Sequence, residues 1–326
     1  MTRRLEGKVA VVTGSGQGVG RGIAIVLARE GARVVTNNRK PGSTAEVKDT
    51  SQFDEVERQK LLALKGDAES TANQIIRAGG EAVPFYGNVA DFDTAGRLIQ
   101  TALDAFGRID ILVNNAAGLG SGNLTATTEE SWDYQTVPKL KGAFNTMRHA
   151  VPIMIEQKFG RVVNVASDAW IGMPGLAAYS AANAGLVGLT KATARELFQM
   201  NVTVNAICPQ AASPGHFVEY TAMIKKLKAA GVKIDEAMLK KVEDAHGPAE
   251  DMAPFVAYLA TQEANFISGS VFSVTADGRV TLYAEPVPAA EIKKNDGPWT
   301  VEELIGSAPE TLFKGYTSIA AKSMWG

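Results

Sequence analysis

Only one cysteine, Cys208, occurs in the 326 residues, which excludes an internal disulfide. Histidine is nearly as scarce: His149, His216 and His246 stand far apart, and this spacing predicts no metal site. Neither sign of charge prevails, with 33 Lys and Arg against 35 Asp and Glu for a formal net charge of −2. Such a balance generates no global field to recruit nucleic acid or an anionic membrane, and neither is expected as a partner. Long apolar runs are missing as well. The stretch that follows MTRRLEGK stops at Gly14, well short of the roughly 20 residues that a spanning segment needs. A cytoplasmic setting is therefore expected.

What is present is enough apolar material, 45% of residues, for one substantial core. Short apolar runs without polar alternation recur at Val9 to Thr13, Val34 to Asn37, Val83 to Tyr86, Ile109 to Asn114, Val162 to Ala166, Val202 to Ile207 and Val271 to Thr275. Runs of that type are buried on both faces, as in a parallel sheet. Helix-period stretches alternate with them, such as Val19, Ile23, Val26 and Leu27 closed by Gly31, and Ala95, Leu98, Ile99, Ala102 and Phe106 closed by Gly107. The alternation predicts an α/β fold, a Rossmann-type doubly wound sheet of seven parallel strands forming a single domain over residues 1–278.

Three segments exceed a minimal sheet. Residues 41–72 open on a Pro-Gly turn and are highly charged, with Phe53, Val56, Leu61, Leu62 and Leu64 as the apolar exceptions; this predicts a surface excursion carrying one helix. Residues 210–247 hold two lysine-rich amphipathic stretches joined at Gly231, and are expected to form a substrate lid at the carboxyl end of the sheet. The extension 279–326 contains Trp299, Leu304, Phe313, Tyr316 and Trp325. It is too apolar for a free linker and is expected to pack on its own or a neighbouring subunit.

Near the start, Thr13 ends a strand, Gly14, Gly18 and Gly20 fall in the next turn, and a helix follows at once. Glycines so placed permit a tight turn, close backbone approach to a pyrophosphate and tight helix packing, while the helix N-terminus favours negative charge. Gln17 and Val19 belong to the same predicted dinucleotide-binding loop. The second strand ends in Asn37, Asn38 and Arg39. An acidic residue there would hold both ribose hydroxyls of NAD, whereas neutral Asn38 followed by Arg39 leaves room for a 2′-phosphate and supplies its partner. NADP(H) is therefore expected in preference to NAD(H).

The T-G-x-x-x-G-x-G loop of Thr13 to Gly20 is joined by NVAD at Asn88 to Asp91, LVNNAA at Leu112 to Ala117, GRVVNVAS ending at Ser167, YSAAN from Tyr179 and NAICPQ ending at Gln210. As a set these motifs resemble the short-chain dehydrogenase/reductase family over residues 5–280. The resemblance implies that Asn88 and Val89 flank the adenine, that Asn115 and Ala116 line the crevice by the ribose, and that Tyr179 and Pro209 lie near the nicotinamide end. It further implies that Ser167 hydrogen-bonds the substrate oxygen and Tyr179 protonates it. YSAA and PQAAS are similar to the dehydrogenase unit of multifunctional β-oxidation enzymes, which act on 3-hydroxyacyl-CoA. A CoA thioester as substrate and a homodimer or homotetramer as assembly follow as expectations from that likeness.

Members of this family usually carry lysine where this chain has Asn183, and asparagine where it has Lys139. A tyrosine of pKa about 10 needs a nearby cation to act as an acid at neutral pH. A unit charge about 4 Å away contributes roughly 4 kcal/mol at an effective dielectric of about 20. Asn183, one helical turn after Tyr179, offers a hydrogen bond to a ribose hydroxyl but no charge. Pro138 interrupts a helical pattern that opens at the capping-box spacing Thr127 to Glu130 and runs to Ile155, and the break can turn the long Lys139 stem inward. Lys139 is thus expected to replace the missing cation and Asn183 the missing amide. The predicted activity is NADP(H)-dependent interconversion of a ketone and a secondary alcohol on a small carbonyl or hydroxy substrate, extending to 3-oxoacyl and 3-hydroxyacyl thioesters. Two alternatives stay open: a cofactor-binding subunit or scaffold without catalysis, and a non-redox lyase or hydratase using Tyr179 and Lys139. Trp170, Met173 and Phe217 are candidates either for an apolar substrate pocket or for the core.

Overall fold

The computed structural model describes residues 3–42, 53–231, 235–295 and 297–318. The first half of the chain runs β1 (Val9–Val12), α1 (Gly18–Arg29), β2 (Arg33–Asn38), α2 (Glu55–Ala63), α3 (Ala68–Arg77), β3 (Ala82–Tyr86), α4 (Phe92–Phe106) and β4 (Ile111–Asn114). Then come α5 (Glu129–Thr136), α6 (Gly142–Glu156), β5 (Gly160–Val165), α7 (Ala177–Leu197), β6 (Val202–Gln210), α8 (Pro214–Ala229), α9 (Glu236–Ala245), α10 (Ala249–Leu259), β7 (Val271–Thr275), β8 (Val280–Leu282) and α11 (Val301–Ser307).

The strands order as β3-β2-β1-β4-β5-β6-β7-β8. Val12 faces both Thr36 and Val113 in parallel register. Strand order therefore reverses between β1 and β4, and the crevice that opens at their carboxyl ends is where such sheets bind ligands. Helices α1, α3 and α10 bury Ile23, Leu27, Ile75, Met252 and Val256 against one face. Helices α4, α6 and α7 bury Leu98, Ile99, Met147, Met154 and Leu197 against the other. Covered on both sides, the central strands need the continuous apolar runs that the sequence supplies.

The sheet has eight strands rather than seven, because β8 pairs antiparallel with β7. Gly278, at φ +89°, turns the chain back. The Thr275 N–H donates to the Arg279 carbonyl at 3.0 Å, and the Arg279 N–H donates to Thr275 Oγ1 at 3.2 Å. All of β8 is exposed, so it lacks the apolar run that marks the other strands, and it carries the sheet beyond residue 278.

Helix α5 is capped by Thr128, whose hydroxyl accepts from the Ser131 N–H at 3.2 Å. That is one residue later than the Thr127 to Glu130 spacing suggests. Pro138 has no N–H to continue the α pattern, and Val137–Lys141 form a π-helical turn before α6 resumes. The wider turn rotates Lys139 away from its place in a regular helix.

Of the charged stretch 41–72, residues 43–52 lie outside the described residues. The remainder holds α2 and the opening of α3 instead of a single helix. Phe53 and Leu61 are buried. The Phe53 ring lies 6.0 Å from that of Phe217 on α8, and Lys225 of α8 pairs with Glu57 of α2 at 2.6 Å. The excursion thus packs on the segment 210–247, a long-range partnership that its polar local sequence does not announce.

By internal packing the chain forms two units, Met1–Tyr283 and Ala284–Gly326. In the second, α11 opens on a capping box: Thr300 Oγ1 accepts from the Glu303 N–H at 3.3 Å, and the Glu303 carboxylate accepts from the Thr300 N–H at 2.8 Å. Lys294 pairs with Glu303 at 2.6 Å, and the Phe313 and Tyr316 rings meet edge-on at 5.6 Å. Trp325 lies outside the described residues. Among the described residues, no helix is long and apolar enough to cross a membrane.

Candidate active site

The turn from β1 into α1 presents open backbone donors. Gln17 precedes α1 in an extended conformation, makes no side-chain cap, and the first turn carries no acidic residue. The amides of Gly18, Val19 and Gly20 therefore stand at the open end of the helix, with no capping side chain among the described residues. Gly18 is left-handed at φ +52°, and a Cβ there would lie 2.9 Å from that of Ser213. A Cβ on Gly20 would collide with the Asn115 amide and the Gly14 carbonyl. Asn115 fills that gap, donating to the carbonyls of Thr13 at 3.1 Å and Gly14 at 2.9 Å, while the N–H groups of Asn115 and Ala116 donate to Thr13 Oγ1. Two buried acceptors here, Gln17 Oε1 and Asn183 Oδ1, have no hydrogen-bond partner among the described residues. Each orphan costs about 1–3 kcal/mol. A dinucleotide, with a diphosphate for the amides and hydroxyls for the acceptors, fits these features.

At the end of β2, Asn37 is structural: its Oδ1 accepts from the Gly14 N–H at 3.3 Å and its Nδ2 donates to the Gly87 carbonyl at 3.1 Å. Asn38 is buried and Arg39 exposed. Asp67, which sequence reasoning passed over, sits beside Gly16, where a Cβ would come within 2.5 Å of its Cα. Its carboxylate accepts from the Ser70 N–H at 2.9 Å, the Gly42 N–H at 3.2 Å and the Tyr86 hydroxyl at 2.9 Å. Burial pulls the Asp67 pKa up, but these donors together hold the carboxyl below its usual range. Asn88 is exposed, with Oδ1 accepting from the Ala90 N–H at 3.1 Å. Val89 is buried under Gly142, and its carbonyl accepts from Asn145 Nδ2 at 2.9 Å.

The carboxyl end of β5 brings Lys139, Ser167, Tyr179 and Asn183 into one neighbourhood. Lys139 is 3% exposed. Its Nζ donates to the Val165 carbonyl at 2.8 Å, two residues before Ser167, and stands 5.9 Å from the centre of the Tyr179 ring. Burial pulls the ammonium down to about 8, with Cys208 acting in the opposite sense. Asn183 is fully buried, and its Nδ2 donates to the Tyr179 carbonyl at 2.8 Å. Ser167 caps the short 3-10 turn Asp168–Ile171, its Oγ accepting from the Ala169 N–H at 3.3 Å. With a lone pair used there, its hydroxyl proton remains to be donated. The Met173 N–H donates to Ser180 Oγ at 3.1 Å and fastens this loop to α7 next to Tyr179. Pro209 lies in β6, opposite Val274.

Asp168, Ser273 and Tyr283, which no motif in the sequence singles out, also stand in the neighbourhood. Asp168 accepts from Gln210 Nε2 at 3.0 Å, Ser273 Oγ at 3.0 Å and the Tyr283 hydroxyl at 2.7 Å. Burial first, then Asp168, pushes the Tyr283 phenol up, so it remains a donor at any ordinary pH. Burial and Asp168 likewise push the Cys208 thiol up, which leaves it inert. Trp170 packs edge-on against Tyr283 at 5.4 Å. In the segment 210–247, His216 and His246 lie flat on each other at 3.8 Å, and burial together with His246 pulls His216 down to about 4. An acidic residue directly after Ser167 is the one local signal that points to the Asp168 cluster; its donors lie from 42 to 115 positions away.

A dinucleotide crevice joined to the half-buried hydroxyls of Ser167 and Tyr179 and a buried lysine describes an oxidoreductase of Rossmann type. Residues 57–278 match the family model described as enoyl-(acyl carrier protein) reductase, and residues 8–75 match that of short chain dehydrogenase. The chain belongs to the short-chain dehydrogenase/reductase family, whose members bind NAD(P)(H). It is 33% identical over 281 residues, 86% of this chain and 100% of the relative, to the 3-oxoacyl-(acyl-carrier-protein) reductase FabG of Thermotoga maritima. To the peroxisomal multifunctional enzyme type 2 of Drosophila melanogaster it is 40% identical over 211 residues, 64% of this chain and 32% of that protein. The crystal structure of a short chain dehydrogenase from Mycobacterium avium superposes with a TM-score of 0.73 at 32% identity, covering 95% of this chain and 96% of that one.

Proposed function

We propose that the chain is an NADP(H)-dependent reductase that interconverts 3-oxoacyl and 3-hydroxyacyl thioesters, working as a cytoplasmic homodimer or homotetramer. The observation that carries this reading is the Lys139 ammonium, buried against the Val165 carbonyl and 5.9 Å from the Tyr179 ring. Support for the thioester class comes from the relatives, one of them a 3-oxoacyl-(acyl-carrier-protein) reductase. When bound, the nicotinamide supplies the hydride that reduces the carbonyl carbon. Ser167 holds the carbonyl oxygen by donating its hydroxyl proton into a hydrogen bond, and the Tyr179 phenol gives that oxygen a proton. Lys139 steadies the phenolate that remains. Asn183 Oδ1 accepts from a ribose hydroxyl. The amides of Gly18, Val19 and Gly20, with Gly14 and Gln17, hold the diphosphate; Asn88 and Val89 flank the adenine, Asn115 and Ala116 border the ribose, and Pro209 backs the nicotinamide.

Arg39 supports NADP(H), because it follows the end of β2 with its side chain exposed, and an arginine there can pair with a 2′-phosphate. The nearby Asp67 carboxylate is already engaged by three donors. Titration with NADPH and NADH, followed by nicotinamide fluorescence and then by assay on 3-oxoacyl thioesters, tests the reading. NADPH should bind about 10- to 100-fold more tightly, the worth of one hydrogen-bonded charge pair. Arg39→Asp should reverse that order. An unchanged preference in Arg39→Asp would remove Arg39 from the assignment, and failure to bind either cofactor would overturn the reductase.

A further inference from the structure

We infer that Asp168 is a positioning residue for the Ser167 hydroxyl, and that β8 completes the clamp that holds it. The inference rests on the role of Ser167 proposed above.

Ser167 leaves β5 in an extended conformation, φ −158° and ψ 149°, and the chain bends into a 3-10 turn immediately afterwards. Within the turn, its hydroxyl is steadied by the Ala169 N–H at 3.3 Å, beyond the ordinary range for an N–H donor. Orientation must then come from outside the turn. Asp168, the first residue of the turn, brings it in through partners on other strands. Its Oδ2 accepts from Gln210 at the end of β6 and from Ser273 on β7, and its Oδ1 accepts from Tyr283 just after β8. Donors on both oxygens fix the plane of the carboxylate as well as its place, and bonds to a carboxylate are the stronger, shorter kind. The backbone on either side of Asp168 cannot swing without breaking them.

The clamp also closes on itself. Trp170, two residues further along the turn, packs edge-on against the Tyr283 ring at 5.4 Å. Tyr283 is therefore gripped by the turn that it anchors. Gln210 follows Pro209, so the same carboxylate ties the Ser167 turn to the β6 end of the crevice. Without β8 the chain would not return along β7, and Tyr283 would not reach Asp168.

The test uses the full chain and three variants, Asp168→Ala, Asp168→Asn and Tyr283→Phe. Asp168→Ala should lower kcat on a 3-oxoacyl thioester about 10- to 100-fold, as expected for a misplaced reacting group, while NADPH affinity stays within about twofold. Asp168→Asn should recover most of the loss, because its amide oxygen still accepts and its NH2 can donate to a hydroxyl. Tyr283→Phe, which leaves two donors in place, should fall between wild type and Asp168→Ala. Amide exchange measured by mass spectrometry should accelerate at residues 168–172 in Asp168→Ala and Tyr283→Phe and stay unchanged elsewhere. A kcat within about twofold of wild type in Asp168→Ala, or an Asp168→Asn enzyme as slow as Asp168→Ala, would overturn the inference. If Asp168→Ala does not fold, the comparison of Tyr283→Phe with Asp168→Asn decides by the same criteria. If the wild-type chain binds NADPH but reduces no thioester, the substrate assignment fails separately, and the exchange at 168–172 then decides the clamp alone: faster exchange upholds it and unchanged exchange refutes it.

Discussion

Replacing Lys139 with methionine is expected to lower kcat for thioester reduction by about 100-fold and, at the same time, to stabilise the fold. The first effect is electrostatic. At the 5.9 Å that separates Nζ from the Tyr179 ring centre, a unit charge contributes about 3 kcal/mol at an effective dielectric of about 20, which is about 100-fold in rate. The second effect follows from burial. The Lys139 ammonium titrates near 8 in the fold against an ordinary 10.5, so holding it charged costs the native state about 3 kcal/mol. Below pH 8 native and unfolded chains are both protonated and the full cost stands. Between about 8 and 10.5 the unfolded chain binds more protons, so wild-type stability should rise with pH across that window. Methionine removes the cost and leaves the Val165 carbonyl without its donor, a loss of about 1 kcal/mol, so the net gain at pH 7 should be about 1–2 kcal/mol. Urea unfolding at pH 7 and pH 10, beside steady-state kinetics, checks both signs. A variant that is less stable and fully active would make Lys139 a structural lysine. Wild-type activity should also decline as pH rises through about 8, when the cation discharges.

How far the sequence foretells this structure depends on how local each cause is. Val9 to Thr13 and most of the similar apolar runs are recognisable because a strand buried on both faces must be apolar throughout, whereas Val83 to Tyr86 belongs to the half-exposed edge strand β3. β8 escapes because it is short, exposed and held by backbone pairing to β7, which imposes no side-chain pattern. The burial of Lys139 is readable in Pro138, since a proline inside a helix forces a local departure. The cap at Thr128 instead of Thr127 shows the usual limit of one residue at a helix end. Asp67 and Asp168 look like surface acids in their own segments. What gives them a place is a set of donors that only the folded chain collects: Tyr86 for one, Gln210, Ser273 and Tyr283 for the other. Phe53 is hidden for the same reason, because its partner Phe217 belongs to a segment far along the chain.

Exchanging the two unusual residues should separate substitution from coincidence. Lys139→Asn alone is expected to lose about 100-fold in kcat, because the amide supplies no charge to Tyr179. Asn183→Lys alone puts a second ammonium into a fully buried position in the same neighbourhood as Lys139, and two like charges in one apolar site discharge each other. That variant should lose about tenfold in kcat and about 1–3 kcal/mol of stability through overpacking. The double variant relieves the repulsion and returns a cation to the turn that follows Tyr179. Its kcat should stand within about tenfold of wild type, and above that of Lys139→Asn, which corresponds to a favourable coupling of about 3–4 kcal/mol. Lys139 and Asn183 lie on different elements, the π-helical turn and α7. Were they energetically independent, the double variant would show the product of the two single losses. A product would mean that Lys139 does not stand in for the missing lysine; a gain over Lys139→Asn can arise only if one cation, carried by either helix, serves the same tyrosine.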